Sequence, residues 1–390
     1  MKINPGGRLA PESIIGRNDE VRRFWQILER QSLILTGERR LGKSHVMWKM
    51  ESEGFGKYMA VYQDLEAVHS TTDFIRSIYR GVHERLTQFG KLKSSALGIW
   101  DALSPKKYKE LELPNAANNW NALLRGAIAD IEKAAEDGNV LLMWDEFPLM
   151  LDNISKSEGP EKAIQILDTL RELRQTHRDK LRFMFTGSIG LHIVLKSLRK
   201  AGHSNASVND MHSETLPPMQ KKWALKLAEE LINTIAPELE SKTEIANEIY
   251  ASVGGFPYYI HHVLDQIQVK GEPITNELVK EIVAELIHAD NDPAHLNYYA
   301  ERITTYYGES DAKYAFSILD ILANEDDSLA FEEILNRVRH KHVEAKDEEI
   351  REVIQLLRKD HYITQRSKED EVQYDFRWVL IKQWWRKARS

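Results

Sequence analysis

The run Leu33-Ile34-Leu35-Thr36-Gly37-Glu38-Arg39-Arg40-Leu41-Gly42-Lys43-Ser44 constrains this chain more than any other stretch. A short apolar segment ends in a G-x-x-x-x-G-K-S loop, and a helical pattern follows from His45. That strand–loop–helix context is the one a phosphate-binding P-loop requires. Gly37 and Gly42 let the backbone turn, so that N–H groups along Glu38, Arg39, Arg40 and Leu41 converge on one anion site. The start of the next helix, at Ser44 and His45, adds partial positive charge at the same point. Lys43 is placed to neutralise the outer phosphates, and the Ser44 hydroxyl to hold Mg²⁺. A nucleotide is expected here.

Two further strand ends carry polar groups. Asn139-Val140-Leu141-Leu142-Met143-Trp144 is almost wholly apolar, as expected of a strand buried on both faces of a parallel sheet, and it delivers Asp145 and Glu146. Asp145 is placed to hold the Mg²⁺ shell beside Ser44. Glu146 follows it and points elsewhere, suited to orienting or deprotonating a water. Leu181-Arg182-Phe183-Met184-Phe185 forms another strand, ending in Thr186-Gly187-Ser188. Its Ser188 hydroxyl either reaches the terminal phosphate or attacking water, or closes a Ser/Thr turn. Residues 58–62 read as a fourth strand that ends at Asp64. Four strands alternating with helical patterns argue for a three-layer α/β core with a mainly parallel sheet. Ligands in such sheets bind beyond the strand C-termini, where Gly37, Asp145 and Ser188 all fall.

Around these strands the helices are legible from their apolar spacing. Val21, Phe24, Trp25 and Leu28 make one stripe, with Asn18 or Asp19 as N-cap. Just before it, Gly16-Arg17 is either a turn ahead of the helix or the segment that packs against the nucleotide base. Further helices are expected over about 72–86, from Trp120 onward, and over about 161–177. Between the first two, Lys91, Lys93, Lys106, Lys107 and Lys109 alternate with Trp100 and Tyr108. A solvated insertion is the favoured reading there, ahead of a basic–aromatic nucleic-acid surface.

A chain of 390 residues exceeds one ordinary core. The pattern divides it into an ATPase-like core over 1–215, a helical lid over 216–305 and a winged-helix domain over 306–390. In the lid, Trp223, Leu227 and Leu231 stripe one helix and Ile245, Ile249 and Val253 another, with Gly254-Gly255-Phe256-Pro257 interrupting. The last domain offers three helical faces, through Ala315-Ile318, Ile334-Val338 and Ile350-Leu357. A hairpin follows around residues 362–364 and 372–376, which completes the winged-helix pattern. Its third helix exposes Asp347, Glu348, Glu349 and Glu352, which repel phosphate. Arg337, Arg339, Lys341, Lys382, Arg386, Lys387 and Arg389 supply positive charge, and Trp384 and Trp385 read as core or protein interface. A structural or protein-contact role is favoured over DNA reading.

Composition excludes several classes. With no cysteine, neither a disulfide framework nor a thiolate metal site exists. No run approaches the ~18 apolar residues of a membrane span, and the start Met1-Lys2-Ile3-Asn4 lacks the apolar core of a signal peptide. A cytoplasmic protein without membrane partners is expected. A net charge of −7 argues against wholesale coating of nucleic acid.

The ordered set Ile15-Gly16-Arg17-Asn18-Asp19-Glu20, Gly37 to Ser44, Asp145-Glu146-Phe147-Pro148, Thr186-Gly187-Ser188 and Gly254-Gly255-Phe256-Pro257 resembles the archaeal-type ATPases of the STAND class, relatives of AAA+ proteins. The likeness covers nearly the whole chain. It implies an ATP- or ADP-bound, Mg²⁺-dependent switch, with Gly16 and Arg17 near adenine, Lys43 and Ser44 on phosphates and metal, and Asp145 as the metal carboxylate. It further implies Glu146 as catalytic base, Ser188 as phosphate sensor and Pro257 as a nucleotide contact from the lid. That lid segment replaces the arginine sensor of most AAA+ proteins, so Arg39 and Arg40 stay without an assigned role. A separate partner protein is implied in place of a built-in sensor domain, and a homo-oligomer is an open alternative partner. Stand-alone relatives of this kind occur in prokaryotic defence and mobile-element settings. The alternative reading is a DNA-engaging ATPase resembling the archaeal origin-recognition initiators.

Overall fold

The computed structural model describes residues 1–88, 116–202, 207–368 and 371–389. Lys91, Lys93, Trp100, Lys106, Lys107, Tyr108 and Lys109 lie outside the described residues. The chain divides into two compact units. A sheet unit comprises Arg17–Thr36 and Lys43–Leu216, and a helical unit comprises Met1–Gly16, Gly37–Gly42 and Pro217–Ser390. Among the described residues no helix is long and apolar enough to cross a membrane.

The sheet unit contains helices α1 (Asn18–Leu28), α2 (Lys43–Glu53), α3 (Thr71–Gln88), α4 (Ala116–Ala135), α5 (Phe147–Glu158), α6 (Pro160–Thr176) and α7 (Leu191–Lys200). Its strands are β1 (Leu33–Thr36), β2 (Tyr58–Asp64), β3 (Asn139–Asp145), β4 (Leu181–Phe185) and β5 (His212–Thr215). They pair in parallel in the order β2-β3-β4-β1-β5. The central strands β3 and β4 are buried along nearly their whole length, which is why their sequences read as apolar runs. Trp144 is fully buried at the middle of an aromatic cluster with Phe74, Phe147, Phe183 and Phe185. Its indole N–H donates to Gln63 Oε1 at 2.8 Å, so burial leaves that donor satisfied.

Two sequence expectations are corrected here. Among the described residues the sheet has five strands, the fifth being β5 (His-Ser-Glu-Thr), which pairs with β1 at one edge and carries no apolar pattern to betray it. The N-cap of α1 is Arg17, with Asn18 already helical. Asp19 and Glu20 fall in the first turn, where the helix dipole favours acids. The stripe of Val21, Phe24, Trp25 and Leu28 is buried as the spacing requires.

The helical unit contains α8 (Lys221–Ile235), α9 (Lys242–Val253), α10 (Pro257–Lys270), α11 (Asn276–His288), α12 (Tyr298–Tyr306), α13 (Glu309–Asn324), α14 (Phe331–Lys341), α15 (Asp347–Lys359) and α16 (Val379–Arg389). A small antiparallel sheet joins β6 (Leu329–Ala330), β8 (Glu371–Phe376) and β7 (Ile363–Lys368) in that order. Ile318, Leu319 and Leu322 of α13, Ile334, Leu335 and Val338 of α14, and Ile350, Val353, Ile354 and Leu357 of α15 are all buried. Trp384 and Trp385 belong to that core, and the Trp385 indole donates to Asp320 Oδ1 at 2.9 Å.

The Gly254-Gly255-Phe256-Pro257 break has a packing cause. Gly254 ends α9 with φ 68°. At Gly255 the backbone lies so close to Met219 that a Cβ would meet the Met219 carbonyl oxygen at 2.2 Å. The Met219 N–H donates to the Gly255 carbonyl at 2.8 Å across this contact. Pro257 then opens α10, where its missing N–H costs nothing. Gly255→Ala is expected to destabilise the protein by ~1–3 kcal/mol, because backbone cannot rotate away from the added methyl. The check is the midpoint of urea unfolding, and an unchanged midpoint would show that the contact yields freely.

Candidate functional site

The polar ends of β1, β3 and β4 are neighbours in the sheet, and hydrogen bonds hold them in place. Thr186, directly after β4, donates its hydroxyl to the Leu35 carbonyl at 2.7 Å and its N–H to the Trp144 carbonyl at 3.1 Å. Its own carbonyl accepts from Phe147 N at 3.1 Å. Strand termini locked this way deliver side chains with little positional freedom.

At the end of β3, Asp145 is only 4% exposed. Its Oδ2 accepts from the Ser44 hydroxyl at 2.5 Å and from the Tyr62 hydroxyl at 3.2 Å, while Oδ1 accepts from the Glu146 N–H at 3.0 Å. Burial pushes the Asp145 carboxyl up. The Ser44 hydrogen bond and the Lys43 charge pull it down, and Asp64, its register neighbour on β2, pushes it up again. A buried carboxylate beside a hydroxyl is an oxygen-only donor set that suits a hard cation. Mg²⁺ takes few protein ligands and keeps the rest of its shell for water and phosphate oxygens.

Glu146 sits in the left-handed region at φ 53°, a conformation uncommon for a side-chain-bearing residue, at the N-cap of α5. That turn sends its carboxylate away from Asp145 and toward the end of β4. There Oε2 accepts from both the Ser188 N–H, at 2.9 Å, and the Ser188 hydroxyl, at 2.7 Å. Burial, then the neighbouring Asp145 charge, pushes the Glu146 carboxyl up, against the Ser188 hydrogen bonds and the Lys43 charge. Lys43, nearly buried, thus acts on both carboxylates. The structure therefore brings Lys43, Ser44, Asp145, Glu146 and Ser188 together within the sheet unit. His45 packs edge-on against Trp48 with ring centroids 4.8 Å apart.

The loop residues between the two glycines belong to the helical unit. Gly37 and Gly42 both take positive φ, 137° and 88°, as the turn demands, and Arg40 does so at 70°. The Arg39 guanidinium lies 3.9 Å from the Tyr298 ring centre and that of Arg40 lies 4.0 Å from Tyr258. Both distances are those of cation–π stacking. Glu38 is buried, accepts from Arg39 N at 3.0 Å and lies 4.0 Å from Arg302. Arg302 in turn donates to Asp360 Oδ1 at 2.6 Å, and the Tyr307 hydroxyl donates to Asp360 Oδ2 at 2.6 Å. Leu41 is buried. Gly16 packs under Trp223, whose ring leaves no room for a side chain there. Arg17, buried in the sheet unit, pairs with Glu20 at 3.1 Å.

Sequence reasoning missed Tyr62, Trp48 and the Arg302–Asp360–Tyr307 group. Each depends on strand register or on residues far apart in sequence, which composition and spacing do not report.

No family model matches the chain, and no curated protein does either. Solved structures do match. The chain is similar to a Walker-type ATPase of Pyrococcus abyssi, with 14% identity, 99% of each chain covered and a TM-score of 0.66. It is also similar to the ORC2 protein of Aeropyrum pernix, described in ADPNP–ADP complexes, with 12% identity, 97% of each chain covered and a TM-score of 0.55. The fold is that of the P-loop ATPases. Likeness at such low identity speaks for architecture, and what a P-loop ATPase fold does in a given chain has to be argued from its side chains.

Proposed function

We propose that this chain binds ATP with Mg²⁺, hydrolyses it slowly, and uses the nucleotide state to switch its contact with a partner protein, as an AAA+-related ATPase of the STAND class with a C-terminal winged helix. The observation that carries the reading is the convergence of Ser44 and Asp145 on one side of a strand end, with Glu146 turned to the other side and bonded to Ser188. One oxygen pair suits a cation. The other carboxylate is separated from it by backbone geometry and suits a water.

In this reading Ser44 and Asp145 hold Mg²⁺, which supplies positive charge against the phosphate oxygens when bound. Lys43 adds a fixed positive charge beside the same carboxylates. Glu146 orients the attacking water and accepts its proton as the water oxygen bonds to the terminal phosphorus and the bond from that phosphorus to the bridging oxygen breaks, so that phosphate and ADP leave. Ser188 aims Glu146 through two donors to a single oxygen, and exchanging one of them for the phosphate would couple sensing to the base. The roles that the resemblance gives Gly16, Arg17 and Pro257 are part of the same proposal, as are a cytoplasmic setting and self-association. Hydrogen exchange compared with ATP and with ADP tests the switch. Different protection in α8–α16 is expected, and identical protection would contradict it.

One observation favours the second reading, a DNA-engaging ATPase resembling origin-recognition initiators. A groove of about 390 Å³ between α15 and β7 is lined by Gln355, Arg358, Lys359, Thr364, Gln365 and Arg377. The cations singled out from sequence contribute less, since Arg337, Arg339, Lys382, Arg386 and Arg389 each pair with a carboxylate. Duplex binding that weakens steeply with salt and is lost in Arg358→Ala would favour this reading.

A further inference from the structure

Tyr62 lies two residues before the end of β2, the strand beside β3. Its hydroxyl donates to the same Asp145 oxygen that accepts from Ser44. Its surroundings come from α2, the helix that begins at Lys43 and Ser44. Glu51 Oε1 accepts from the Tyr62 N–H at 2.8 Å. Trp48 packs edge-on against the ring, 5.7 Å between centroids. An ionised carboxylate only accepts, so the phenol supplies the proton of its bond to Asp145.

Of the two hydroxyl donors to Asp145, Ser44 is itself assigned to the cation, whereas Tyr62 stands outside the ligand set. A donor in that position fixes the carboxylate's orientation without occupying a coordination place, as outer-shell partners of metal ligands do. We propose that Tyr62 is a positioning residue for the Mg²⁺-binding carboxylate and sets the affinity of the nucleotide site for divalent cation. This rests on the reading of Asp145 and Ser44 as the Mg²⁺ site.

The test is a Mg²⁺ titration of the full chain with a fluorescent ADP analogue, run beside the same binding measured in EDTA. Tyr62→Phe keeps the ring and removes the hydroxyl. It is expected to raise the Mg²⁺ concentration at half effect by roughly 10-fold or more, while affinity in EDTA stays at the wild-type value. A midpoint equal to wild type overturns the proposal. So does a loss of affinity of the same size with and without Mg²⁺, which is the mark of a merely structural tyrosine. Trp48→Leu removes the ring packed edge-on against Tyr62 and is expected to shift the midpoint the same way by less. Should Tyr62→Phe fail to fold, a wild-type midpoint in Trp48→Leu overturns the proposal. A wild-type chain that binds the analogue with no Mg²⁺ dependence fails at the parent reading and removes the proposal with it.

Discussion

Glu146→Gln is expected to bind ATP as the wild type does and to hydrolyse it roughly 10²–10⁴-fold more slowly. That loss corresponds to about 2.7–5.4 kcal/mol of barrier. The amide matches the carboxylate in shape, and its carbonyl oxygen accepts from the Ser188 N–H and hydroxyl where Glu146 Oε2 does so now. The turn into α5 therefore survives while the proton acceptor is lost. Single-turnover phosphate release beside an ATP titration separates the two effects. Hydrolysis at the wild-type rate would remove Glu146 from the chemistry.

Lys43→Ala is expected to weaken nucleotide binding by about 2–5 kcal/mol, the range for truncating one partner of a buried charge pair. Two causes add. The phosphates lose a fixed cation, and Asp145 and Glu146 lose the positive charge that now pulls both carboxyls down. A thermal melt of the variant separates loss of affinity from loss of fold. Unchanged affinity in a folded variant would contradict the phosphate role of the loop.

Much of the sheet unit is legible in the sequence because its central strands are covered on both faces. β3 and β4 are continuous apolar runs, and each ends abruptly in polar residues, so the strands and their polar ends can be read together. β5 is hidden for the opposite reason. An edge strand of His, Ser, Glu and Thr is fixed by backbone pairing to β1, and the residue types say nothing of it. The same division runs through the site. Ser44, Asp145 and Glu146 announce themselves by position in a motif. That Glu146 meets Ser188 follows only from the left-handed turn at its backbone. That Tyr62 meets Asp145 follows only from the register of β2 on β3. Arg39 and Arg40 carry no legible role because their partners, Tyr298 and Tyr258, lie more than two hundred positions away and match no pattern.

The proposed function requires one nucleotide per chain, held through the G-E-R-R-L-G-K-S loop. Native mass spectrometry of the full chain incubated with ATP and Mg²⁺ measures this directly. The account predicts one nucleotide adduct per chain, absent from Lys43→Ala and carried as ATP by Glu146→Gln. A wild-type chain that stays at its bare mass under those conditions would contradict it.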